Sequence, residues 1–215
     1  MTDILFDADG VLVYGYHAKP EFSRHWDEQL ETDFGIRRAD FRDRFIRTVF
    51  ESDVLTGKRS LYETLEEVLP TIGHDGDPQA LIDYWMARDA VTTPGLLPYI
   101  ERLRACPSVR LFIATNQESV RAGYLMNTMG FGRYFQDIFN SARLGVLKPN
   151  PQFFARIEAL LNRPSEKPTF FDDRENVVEA ARAAGWDAHR FDQPTDILKS
   201  KIVVSVLAGD DSARR

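Results

Sequence analysis

One cysteine, Cys106, stands among 215 residues. A disulfide within the chain is therefore excluded, and a reducing compartment is the expected setting. Cys106 precedes Pro107 and has no base beside it in the sequence, so it reads as an ordinary loop residue. Also missing is any apolar run near the ~18 residues that suggest a membrane span, and Met-Thr-Asp is not a charged-then-apolar leader. A cytoplasmic protein without a membrane partner is expected. Positive charge is scarce as well: 27 Lys and Arg face 33 Asp and Glu, giving a net charge of −6 and a pI near 5.3. No Lys/Arg stripe is present, so nucleic acid is not expected as a partner. What remains is a small, diffusible substrate. If it is anionic, so acidic a chain must hold it with local positive charge from a metal, a lysine or helix amino termini.

Hydrophobic residues make up 43% of the chain, enough for one good core and a smaller second unit. Short β-rich runs at 3–8, 109–114, 168–172 and 188–191 are each followed by turn residues or a helical pattern. Alternating strand and helix predicts an α/β fold with a parallel, doubly wound sheet. Asn150-Pro151 marks a helix start running to Leu161, with Pro at the first helical position, and Gly185 stops another that begins at Glu175. Between Gly15 and about Thr92 the pattern changes to many charges with apolar residues at helical spacing, as in Phe41, Phe45, Val49 and Leu61, Leu65, Val68. The spacing predicts a helical insertion over 16–92, set into a sheet-forming part made of 1–15 and 93–215. The polar tail 210–215 is expected to fray.

Asp7 and Asp9 close the first run, in Ile-Leu-Phe-Asp-Ala-Asp-Gly-Val-Leu. Side chains two apart on an extended segment point the same way, so the two carboxylates can converge while Ala8 faces elsewhere. Such neighbours repel unless a divalent cation sits between them or one keeps its proton. The second run ends at Thr115-Asn116, the run over 168–172 ends at Asp172-Asp173, and Lys148 lies in Gly-Val-Leu-Lys-Pro-Asn-Pro before a capped helix. Singly, each has a structural reading: a turn, a helix cap, a charged helix start, a surface lysine. Open α/β sheets, however, bind ligands beyond the carboxyl ends of their strands, where all of these fall.

Phosphoryl transfer needs an in-line nucleophile, a cation over the equatorial oxygens and donors that hold them. Asp7 can attack phosphorus, and Asp9 can protonate the departing alkoxide and later take a proton from water. Asp172 and Asp173, with Asp7 and the Asp9 carbonyl, offer hard oxygens suited to Mg²⁺. Thr115, Asn116, Lys148 and the N–H groups opening the next helix can hold the phosphate.

This set, in this order, resembles the haloacid dehalogenase (HAD) superfamily. Phe-Asp-Ala-Asp-Gly-Val is similar to its first motif, Ile-Ala-Thr-Asn to its second, Gly-Val-Leu-Lys-Pro-Asn-Pro to its third and Phe-Phe-Asp-Asp-Arg-Glu-Asn-Val to its fourth. The resemblance implies a Rossmann-like core with a C1 helical cap inserted after the first motif. It implies Asp7 as nucleophile, Asp9 as general acid and base, Thr115 and Lys148 as phosphate holders, Asp172 and Asp173 on the metal side, and Asn176 supporting the loop. Tyr14, Tyr16, His17 and Trp26 open the cap near enough to Asp9 to reach the pocket.

A Mg²⁺-dependent phosphatase is the expected activity. The second aspartate argues against a 2-haloacid dehalogenase, because a halide departs without a proton whereas an alkoxide needs one. A phosphomutase needs a second phosphate site in the cap, for which Lys19, Arg24, Arg44, Arg47, Lys58 and Arg59 are candidates. The non-enzymatic rival is a phospho-accepting receiver module, which carries its acidic pair early and its acceptor later, the reverse of the order here.

Overall fold

Strands β1 (Thr2–Phe6), β2 (Val109–Thr115), β3 (Asp137–Asn140), β4 (Thr169–Asp172) and β5 (Asp187–Arg190) form one parallel sheet in the order β3-β2-β1-β4-β5. The computed structural model describes residues 1–15, 17–162 and 166–213. The sheet is central because its strands are apolar on both faces, as helices on either side require. Ile4 and Phe6 of β1 join Leu111 and Ile113 of β2 in one core, under α5 (Leu97–Ala105) and α10 (Lys201–Ala213). Leu5, Phe112 and Phe170 face the other way, into a second core with α7 (Ser141–Leu144), α8 (Pro151–Leu161) and α9 (Glu175–Ala183).

The sequence reading missed β3. Asp137-Ile-Phe-Asn is four residues long with only two apolar ones, too short for periodicity to register. Its place comes from pairing with β2, from Phe112↔Asp137 to Thr115↔Asn140. The first strand also stops earlier than expected, at Phe6 rather than position 8. The Ala8 N–H donates to Asp7 Oδ1 at 2.7 Å, and the Ala8 carbonyl accepts from Val13 N–H at 2.8 Å, turning the chain out of the sheet. α10 runs to Ala213, with Val203 and Leu207 anchored in the core; positions 214 and 215 lie outside the described residues.

Between 17 and 91 every described regular element is helical: α1 (Leu30–Phe34), α2 (Arg38–Phe41, widening to a π-helical Arg42–Val54), α3 (Leu61–Val68), α4 (Pro78–Arg88) and short 3₁₀ turns. These helices share a third core that contains the predicted Phe41, Phe45, Leu61 and Leu65. Ser60 caps α3, accepting from Glu63 N–H at 3.1 Å, as Asn150 caps α8 by accepting from Gln152 N–H at 2.9 Å. The two crossings into the helical segment run side by side: Tyr14 N–H donates to Val91 O at 2.7 Å and Thr93 N–H to Leu12 O at 2.9 Å. Among the described residues no helix is long and apolar enough to cross a membrane.

Candidate active site

Parallel pairing of β1 with both β2 and β4 brings three strand ends to one edge of the sheet, and the chemistry follows from that edge. The Lys148 ammonium, 5% exposed as a residue, lies 2.9 Å from Asp7 Oδ2 and 2.7 Å from Asp172 Oδ2 and donates to the Ala114 carbonyl at 3.0 Å. Burial alone would favour the neutral amine, but Asp172 and Asp7 outweigh it and push the lysine's pKa up. Asn116 fixes the lysine's loop: its Oδ1 accepts from Lys148 N–H at 2.8 Å and its Nδ2 donates to Lys148 O at 3.0 Å. The expected phosphate-holding residue Asn116 is thus first a strut for Lys148.

Asp7, Asp172 and Asp173, all buried, each turn a carboxylate oxygen into one cluster whose atoms lie within 4.8 Å of one another. Asp173 is held by the Ala18 N–H at 2.5 Å, and Arg174 N–H donates to Asp172 Oδ1 at 2.9 Å. Lys148 contacts Asp7 and Asp172 but forms no ion pair with Asp173. Ionised, three carboxylates against one ammonium leave two negative charges uncompensated, which is the charge of a divalent cation, and hard oxygens are the donors such ions prefer. The residues therefore fit a metal. Gly10 is part of this fit. Its φ is +77°, and a Cβ there would sit 2.6 Å from Asp173 Cγ. Gly10→Ala is expected to cost about 1–2 kcal/mol from the left-handed backbone. It should also weaken divalent-cation binding roughly tenfold or more as Asp173 is displaced, read by calorimetry; unaltered binding would remove Asp173 from the metal site.

Asp9 does not share the triad. Its carboxylate turns the other way, where Gln117 Nε2 donates to Oδ2 at 2.5 Å and the buried Arg121 guanidinium lies 3.9 Å from Oδ1. The expected convergence of Asp7 and Asp9 is therefore partial: both line one pocket with Thr115, Asn116, Lys148 and Asp173, but only Asp7 enters the metal cluster through its side chain. The turn at Ala8 is the reason, since i and i+2 share a face only on a continuous strand. Burial, then the nearby Asp89, raise the Asp9 pKa to about 7, with Arg121 opposing them. Asp172 is also raised to about 7, by burial first and Asp7 next, against Lys148.

Both carboxyls hold their protons more tightly folded than unfolded. The stability they confer is full below pH 3.8 and is lost as pH climbs through about 7. Chelator-treated protein should therefore melt roughly 5 °C lower or more at pH 8 than at pH 5.5, with a shallower slope in Asp9→Asn. A flat profile in differential scanning fluorimetry would contradict the assignment of these protons.

Two further expectations change, one at the second motif and one at the fourth. The N–H groups opening α6 (Ser119–Gly123) are not free for phosphate, because the buried Glu118 carboxylate caps them, accepting from Val120 and Arg121 N–H at 2.5 Å each. Asn176 does not brace its loop: it is exposed on α9, and no side-chain hydrogen bond of it is found among the described residues. The loop is tied instead by Arg174 N–H. Sequence reasoning also missed Gln117, Asp89 and Arg121. Arg121 donates to the backbone carbonyl of Asp89 and lies 3.4 Å from its carboxylate. Its Thr-Asn-Gln-Glu-Ser-Val-Arg setting reads as an amphipathic helix start, and only the return of the chain after α4 brings Asp89 to it.

Of the four cap-entry candidates, Trp26 lines a cleft of about 760 Å³ that also contains Asp9, Asn116, Lys148 and Arg174. Tyr14 is exposed beneath the Arg24 guanidinium and does not line the cleft. His17 is buried beside Asp173, its Nδ1 accepting from Lys19 N–H at 2.8 Å and lying 3.9 Å from Asp173 Oδ2. Tyr16 lies outside the described residues.

The family model for haloacid dehalogenase-like hydrolases matches residues 4–185, from β1 through the stop of α9. This chain belongs to that family. Solved structures agree on the fold. A predicted HAD-like family hydrolase from Porphyromonas gingivalis superposes with a TM-score of 0.73 at 22% identity, covering 94% of this chain and 99% of its own. A HAD family enzyme from Bacteroides thetaiotaomicron, solved with magnesium and inorganic phosphate, gives 0.70 at 16% identity over 88% of this chain and 93% of its own. An L-2-haloacid dehalogenase from Xanthobacter autotrophicus gives 0.59 at 20% identity, covering 88% of this hydrolase and 77% of the dehalogenase. No curated protein sequence matches. At such identities these likenesses speak for the fold and leave the reaction to the site.

Proposed function

We infer that this HAD-like hydrolase is a Mg²⁺-dependent phosphatase of small phosphate monoesters, acting through an aspartyl phosphate. The observation that carries the reading is Lys148 bridging Asp7 and Asp172 while Asp173 completes an acidic cluster two charges short of neutrality. An Asp7 oxygen attacks phosphorus as the bond to the alcohol oxygen breaks, and Asp9 gives its proton to that oxygen. Asp9, now ionised, takes a proton from a water that attacks the phosphoryl group, releasing phosphate and restoring Asp7. A pKa near 7 suits a group that must give and then take a proton at neutral pH. Thr115, buried at the end of β2, and Lys148 would hold phosphoryl oxygens. Asp7, Asp172, Asp173 and the Asp9 carbonyl would hold the Mg²⁺, which supplies neutralisation of the phosphoryl charge.

Residues 16–92 act in this reading as a cap over a core of 1–15 and 93–215. Two observations favour hydrolysis over the rivals. Of the six cap cations that a mutase could use, Lys19, Arg44, Lys58 and Arg59 do not line the cleft, and of the two that do, Arg47 is paired with Asp43. The order β3-β2-β1-β4-β5 also differs from the 2-1-3-4-5 order of receiver-like folds.

Purified protein should release phosphate from an aryl phosphate with Mg²⁺ and not with excess chelator. Mg²⁺ at a hundred times its Kd should stabilise the fold by about 2.7 kcal/mol, roughly 5–10 °C in Tm. Turnover that ignores chelation would sink the metal-dependent reading.

A further inference from the structure

One side of the helical segment's core faces the site. Its fully buried members, such as Phe45 and Leu65, are backed by Trp26, Ile46, Phe50 and Trp85, which stay half-buried, and all four of these line the cleft over the site. The Trp26 and Trp85 rings stack at 4.6 Å and 13°, and Phe50 lies 5.4 Å from Trp85. An apolar wall left facing a cavity is costly unless something apolar covers it. The charged groups of the cleft lie apart from this wall's buried side. Asp27 is engaged by Arg38 at 2.7 Å, Glu118 by the α6 N–H groups, and Arg24, His25, Arg42, Arg47 and Glu51 are exposed. Asp9 and Lys148 form part of the lining of both this cleft and the phosphate pocket, so a phosphoryl group and an apolar body can be held by one molecule.

Resting on the phosphatase reading, we propose that the alcohol half of the substrate carries a planar aromatic ring, seated on the Trp26–Trp85–Phe50 wall, and is not a polyol. Aromatic faces bury large area and add a ring–ring attraction that a saturated polyol cannot return.

The test compares benzyl phosphate with ethyl phosphate and a hexose 6-phosphate under saturating Mg²⁺. All three release alkoxides, so all three call on the same acid. Benzyl phosphate should lead in kcat/KM by roughly ten- to fiftyfold, mostly through KM. The benzyl-to-ethyl ratio should fall below about threefold in Trp85→Ala and drop measurably in the gentler Phe50→Leu. Benzylphosphonate, which cannot be hydrolysed, should quench tryptophan fluorescence at concentrations where methylphosphonate does not. Equal kcat/KM for the three esters, or a ratio unmoved by both substitutions, overturns the ring assignment and leaves the phosphatase reading intact. Turnover of none of them with benzylphosphonate still bound selectively does the reverse.

Discussion

Asp7→Asn is expected to abolish phosphate release, lowering kcat by about four orders of magnitude or more, because a carboxamide cannot form the covalent intermediate. The variant should stay folded. Asn is isosteric, the Ala8 N–H retains an oxygen to donate to, and Lys148 retains Asp172 at 2.7 Å. Circular dichroism and the melting temperature separate a dead enzyme from an unfolded one. The covalent step has its own readout: wild-type protein quenched in acid during turnover should gain the mass of one phosphoryl group on the peptide containing Asp7, and Asp7→Asn should not. Turnover within tenfold of wild type in the variant would dismiss Asp7 as nucleophile, whatever the fate of the metal site.

Asp9→Asn should divide substrates by leaving group. General acid catalysis is worth about 10²–10⁴-fold, and that benefit is needed where the departing alkoxide is strongly basic. Alkyl phosphates should lose about a thousandfold or more in kcat/KM. Activated aryl phosphates, whose phenolates leave unaided, should lose far less in the first step and then stall, because the same carboxylate serves as base for the water. Phosphoenzyme should therefore accumulate with an aryl substrate, visible as a burst of phenolate followed by slow release of phosphate. A uniform loss on both substrate types would show that Asp9 shapes the site without transferring the proton.

Most of the candidate set was legible as residue types. Asp7, Asp172 and Asp173 needed only the alternating pattern and the rule that ligands sit beyond carboxyl strand ends, Lys148 was legible from its loop before a capped helix, and the fold brings the four together. Other features were not legible for identifiable reasons. β3 was too short to show a period, and pairing with β2 creates it. Asp9 was expected beside Asp7 because the strand was read two residues too long, and the Ala8 turn sends its carboxylate to Gln117 and Arg121. The free helix terminus after Thr115 was lost to Glu118, whose role as cap depends on its burial.

The sequence by itself determined the α/β alternation, the helical character of the inserted stretch and the candidate residues for the chemistry, because these depend on local periodicity and on side-chain type. Tertiary structure decided which carboxylates converge on a candidate cation site, which one stands apart, and that the helical segment turns an aromatic wall toward the site. Those outcomes depend on distances between residues as remote as Asp9 and Arg121 or Trp85 and Lys148. Only the closing of the chain into a low-dielectric interior sets such distances, and with them the strength of every charge inside it.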